Sequence, residues 1–209
     1  MVKREPESAL RGTLRAGRSG VLASAPGVQV SEAQPTAMFQ ISGAFASDES
    51  HGVSSLFAPV ELPEPLHCTS GEGVRLLWNG PGRFLATIDS TAPNAIVDAL
   101  LDGEKVGSKN LGEIACVDVS HAWSVLRVQG PSAHDLLAKG CAVDLEQMRA
   151  DACRPTAVGR FDVLLCCVAD DGFDLFVARS LAQSFADWLL RAGAEFGVTV
   201  CEWRMDEGR

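Results

Sequence analysis

Three short stretches hold the side chains of acid–base and nucleophilic catalysis. In Val117–Asp118–Val119–Ser120–His121 a carboxylate, a hydroxyl and an imidazole fall within four residues. His134 and Asp135 stand together in GPSAHDLLAKG, and Cys141 follows directly. A serine hydrolase needs a hydroxyl in hydrogen-bond reach of an imidazole that a third group holds in place. Alternate side chains of a strand share a face, so Asp118 and Ser120 point one way and His121 the other. That spacing separates nucleophile from base, and no G-x-S-x-G elbow is present. Asp118 and Ser120 are read instead as a strand end whose side chains bond backbone groups, with His121 opening the next connection.

The other stretches have similar plain readings. Asp135 suits the first turn of a helix through the helix dipole alone. His51, His67, His121 and His134 fall in different elements, with no H-x-H or H-x-x-x-H pair, so no metal ligands are predicted. Cys141 has no base committed to it and reads as a packed thiol. The seven cysteines are odd in number, irregularly spaced and without a C-x-x-C pair, which predicts free thiols in a reducing cytoplasm. GEGVRLLWNG lacks the third glycine of G-x-G-x-x-G, and no G-x-x-x-x-G-K-[ST] occurs. Trp78, Trp123, Trp188 and Trp203 sit among apolar residues and are read as core, with a surface tryptophan anchoring an interface as the alternative. No catalytic, cofactor-binding or metal-binding residue is assigned.

The elements that carry these residues are legible from residue 74 onward. VRLLW (74–78) and RFLATI (83–88) flank Asn-Gly-Pro-Gly and predict a hairpin. A helix follows, capped by Ser90 or Thr91, with Pro93 in its first turn, Ile96, Val97, Leu100 and Leu101 on one face, and Gly103 as its stop. EIACVDVS (113–120) and WSVLRVQG (123–130) read as strands. Gly130–Pro131–Ser132 then starts a short helix with Ala133, Leu136 and Leu137 inward, closed by Gly140. FDVLLCCVA (161–169) and FDLFVARS (173–180) form a second hairpin around Asp170–Asp171–Gly172. Ser180 is the predicted cap of the strongest helix, whose stripe is Leu181, Phe185, Trp188, Leu189, Ala192 and Phe196. Gly197 ends it, and VTVCEW (198–203) reads as a last strand. Residues 1–60 are loosely patterned: an extended segment contributing short strands at VQVSEA (28–33) and AMFQIS (37–42). Residues 61–209 are the predicted domain, α+β, with helices on one face of a mainly antiparallel sheet.

Composition narrows the function classes. Of 209 residues, 46% are hydrophobic and 22% charged, the balance of a folded chain with a packed core. The net charge is −9, yet residues 1–25 carry +3 through Lys3, Arg4, Arg11, Arg15 and Arg18 against Glu5 and Glu7. The acidic remainder argues against nucleic-acid binding. The basic arm reads as a solvated terminus or as an arm docking on an acidic partner; Glu5 and Glu7 disfavour a transit peptide. No apolar run reaches the ~20 residues that span a bilayer, and the start has no apolar signal core, so a cytoplasmic chain without a membrane is expected.

The segment DVSH, an apolar strand and QGPSAHDLLAKG together resemble the folate-binding fold of the aminomethyltransferases. An ordered set is similar to the gamma subunits of heterotetrameric sarcosine oxidases: GVRLLWNGPGRFL (73–85), VDVSHAWSVLRVQGPSAHDLLAKGCAVDL (117–145) and DGFDLFVARSLAQSFADWLL (171–190). Cys153–Arg154–Pro155–Thr156 keeps a C-x-x-T of that family, while Gly82–Arg83–Phe84 departs from its usual acidic residue and tryptophan. The resemblance implies a non-catalytic subunit with no cofactor of its own. FAD, FMN, NAD and tetrahydrofolate would then be held by alpha, beta and delta partners. That complex would demethylate sarcosine oxidatively to glycine, with hydrogen peroxide and 5,10-methylenetetrahydrofolate as co-products. Two other readings stand beside it: a free-standing folate-binding or aminomethyl-transfer protein, and a small hydrolase using Ser120 and His121 or Cys141.

Overall fold

The computed structural model describes residues 8–21, 25–43, 57–101 and 114–201. Along them run strands β1 (Gly17–Ser19), β2 (Val28–Ala33), β3 (Ala37–Ser42), β4 (Cys68–Gly71), β5 (Val74–Trp78), β6 (Arg83–Ile88) and β7 (Ala115–Asp118). Then come β8 (Trp123–Gln129), β9 (Cys153–Val158), β10 (Phe161–Ala169), β11 (Gly172–Ala178) and β12 (Val198–Val200). The helices are α1 (Asn94–Leu101), α2 (Ala133–Ala138) and α3 (Ala182–Gly193). The class is α+β with mostly antiparallel sheets, as the patterning predicts, and the strands are shared between two sheets. The described residues of 1–34, 121–150 and 155–209 form one compact unit; those of 35–120 and 151–154 form the other.

The unit built on residues 35–120 has a five-stranded antiparallel sheet in the order β4-β5-β6-β3-β7. Its hairpin is the predicted one, with Trp78 opposite Phe84. Gly82 holds φ +63°, and a Cβ there would lie 2.5 Å from the Gly43 carbonyl oxygen, so the turn requires glycine. Alternation drives one face inward: Phe39, Ile41, Val74, Leu76, Ala86 and Ile88 are buried together, with Ile96 and Leu100 of α1 packed on them. Neither predicted cap directly precedes α1; Pro93, predicted in its first turn, stands there instead. The Thr91 N–H and hydroxyl both donate to Asp89 Oδ1, at 2.7 and 2.6 Å, and the helix starts at Asn94. Gly103, the predicted stop, lies outside the described residues.

The other unit carries the seven-stranded sheet β1-β12-β2-β8-β11-β10-β9, in which β12 runs parallel to β2 while β1–β12, β2–β8, β8–β11 and β10–β11 pair antiparallel. β11 is buried from Gly172 to Val177 without interruption. Its register sets Phe173 opposite Val128 and Leu175 opposite Leu126, on the face where the helices lie. There the His134 ring of α2 meets Phe173 at 5.1 Å, and Phe185 of α3 meets Phe161 at 5.2 Å.

The buried stripe of α3 is Ala182, Phe185, Ala186, Leu189 and Gly193; of the predicted one it keeps Phe185 and Leu189, while Leu181 is exposed and Trp188, Ala192 and Phe196 are half-buried. Residues Arg179–Leu181 make a 3-10 turn, so Ser180 is not the cap; Leu181 occupies that position and is 42% exposed. Trp188 is half-buried and stacks on Phe185, with Gly140 and Gly159 beneath its indole. β12 ends at Val200, and the rest of the predicted last strand, from 202 to Trp203, lies outside the described residues. Among the described residues no helix is long and apolar enough to cross a membrane.

Candidate functional site

β7 ends at Asp118, and the chain turns there because two side chains replace strand bonds. Asp118 Oδ1 accepts the Ser120 N–H at 2.9 Å and the Ser120 hydroxyl at 2.6 Å. Ser120 Oγ in turn accepts the Met38 N–H at 2.9 Å. The backbone N–H of Val119 continues the pairing to the Met38 carbonyl oxygen at 2.8 Å. The hydroxyl proton is given to a carboxylate and its oxygen is taken by a backbone donor. The serine acts as a strand-end clasp, as its position in the sequence predicts.

His121 belongs to the other unit and is exposed. Its surroundings there are Ala9, Arg179, Ser180 and Gln183, which with it line an open cavity of about 550 Å³. The connection is fixed where the Arg179 N–H donates to the Ala122 carbonyl oxygen at 2.8 Å. The structure therefore pairs Asp118 with Ser120 and places His121 near Arg179, Ser180 and Gln183, residues about sixty positions away in the chain.

The remaining predicted positions are occupied by packing. His134 lies against Phe173, and its Nε2 is buried without a hydrogen-bond partner. Asp135 is exposed in the first turn of α2, where the helix dipole favours it. Cys141 is buried: its N–H donates to the Leu137 carbonyl oxygen at 2.9 Å, and it bridges to Val158. All seven cysteines are free thiols. Cys116 lies partly buried two residues before Asp118. Burial, and then the Asp118 carboxylate, push its thiol from 9.0 up to about 11. That keeps it protonated and unreactive near neutral pH. Among the described residues no cluster of His, Cys, Asp and Glu is placed to hold a metal ion. Trp78 and Trp123 are half-buried, and Trp203 lies outside the described residues.

One polar feature escaped the sequence reading. Arg127 on β8 and Asp174 on β11 are directly opposed, and the guanidinium binds the carboxylate through Nε at 2.8 Å and Nη2 at 3.0 Å. Asp174 is 3% exposed. The signal was present as a single charged residue in each of two mainly apolar strands, WSVLRVQ and GFDLFVA.

Comparison with known proteins gives a consistent set. The profile of the GCVT N-terminal domain family matches residues 79–204. The sarcosine oxidase subunit gamma of Corynebacterium sp. strain U-96 is 26% identical over 152 residues, 71% of each chain. The aminomethyltransferase of Koribacter versatilis strain Ellin345 is 34% identical over 92 residues, 41% of this chain and 24% of that one. Among solved structures, a chain of the heterotetrameric sarcosine oxidase from Corynebacterium sp. U-96 superposes with a TM-score of 0.71 at 23% identity, over 81% of this chain and 85% of that one. At that identity the likeness is one of fold.

Proposed function

The chain belongs to the GCVT N-terminal domain family, and from that premise we propose that it is a non-catalytic subunit of gamma type in a heterotetrameric sarcosine oxidase. The observation that carries this reading is one of extent. The likeness to a gamma subunit runs over 71% of both chains, whereas the likeness to an aminomethyltransferase takes in 24% of that enzyme. The site geometry agrees in kind. The Ser120 hydroxyl is bound on both its donor and acceptor sides, and Cys116 is held as a thiol. In the proposed assembly alpha, beta and delta subunits hold FAD, FMN, NAD and tetrahydrofolate. The complex converts sarcosine to glycine, hydrogen peroxide and 5,10-methylenetetrahydrofolate, in the cytoplasm.

The test is purification of the tagged full chain from its native host, followed by an absorbance spectrum and a peroxide assay with sarcosine. A yellow complex with larger partners and sarcosine-dependent peroxide supports the reading. A colourless single chain, or sarcosine oxidation by this chain alone, ends it.

The similarity to aminomethyltransferases motivates a second reading, a free-standing folate-binding or aminomethyl-transfer protein. Titration of the isolated chain with tetrahydrofolate separates the two. Saturable binding at micromolar concentration favours the second reading, and none at millimolar concentration removes it.

A further inference from the structure

We draw no further inference here: the strongest candidate, the outer edge of β7 in the five-stranded sheet, where Val117 is 54% exposed and the described pairing of the strand is with β3 alone, carries nothing because nothing in the structure shows what covers it.

Discussion

At the end of β7, Asp118 and Ser120 form a closed set: one carboxylate oxygen takes both protons that Ser120 offers, and the serine oxygen takes a backbone proton from Met38. At the start of α3, His121, Arg179, Ser180 and Gln183 face an open cavity with no acidic side chain among its described lining. The two regions share residue types and differ in commitment. In the first, the donors and acceptors already serve the fold, and reaction chemistry would have to take them away from it. In the second, Gln183 donates to the Ala9 carbonyl oxygen, while His121 and Ser180 are exposed. The Arg127–Asp174 pair stands at the committed extreme, with its carboxylate fully enclosed by the sheet unit.

The largest effect should come from that extreme. Arg127→Leu leaves the Asp174 carboxylate buried without its guanidinium, and the unfolding free energy should fall by about 3–5 kcal/mol in urea melts. Replacing Asp174 by Leu as well should recover most of the loss, because the stranded charge is then gone. A single-variant loss near zero would show that the buried Asp174 carboxylate does not depend on this guanidinium.

Next in size is a difference in reactivity. With its thiol raised from 9.0 to about 11, Cys116 carries about a hundredfold less thiolate at pH 8 than an ordinary cysteine. Alkylation by iodoacetamide, followed cysteine by cysteine with mass spectrometry, should be slow there in the folded chain and fast after unfolding. The fold favours the protonated form. The stability this supplies is therefore complete below pH 9 and is lost as pH rises toward 11. Rapid labelling of folded Cys116 at pH 8 would contradict its burial first, and then the influence of the Asp118 carboxylate.

Much of this fold could be read directly. Both hairpins carry their turn residues in the open, Asn79–Gly82 and Asp170–Gly172, between short, near-continuous apolar runs of the kind that strands buried on both faces show. What the sequence hid was long-range. Nothing local tells β3 to join β6 and β7 while β2, four residues earlier, joins β8 and β12; sheet membership is decided by packing. The start of α3 was misplaced for a local reason. Ser180 has the chemistry of a cap, yet the 3-10 turn at Arg179–Leu181 moves the helix start on by one residue, to Ala182, and leaves Leu181 exposed. The clasp role of Ser120 was legible because Asp-x-Ser bonding is local. The cavity was not, since Ala9, His121 and Arg179 come together only through the fold.

The two smallest effects set the clasp and the cavity against each other directly. Ser120→Ala removes the acceptor of the Met38 N–H and a donor to Asp118, and should cost about 1–3 kcal/mol of stability, with β3 and β7 losing amide protection from hydrogen exchange first. His121→Ala takes away an exposed imidazole, and its stability should stay within about 0.5 kcal/mol of the wild type. Equal losses would mean that His121 also serves the fold, and the contrast between a committed and an open polar region would collapse. A small-hydrolase reading makes the opposite forecast: esterase activity in the wild type that both substitutions abolish. If Ser120→Ala unfolds more easily while His121→Ala melts with the wild type and neither alters hydrolysis of an activated ester, adjacent serine and histidine belong to two different tasks. The serine then closes a strand, and the exposed histidine contributes nothing measurable to the fold.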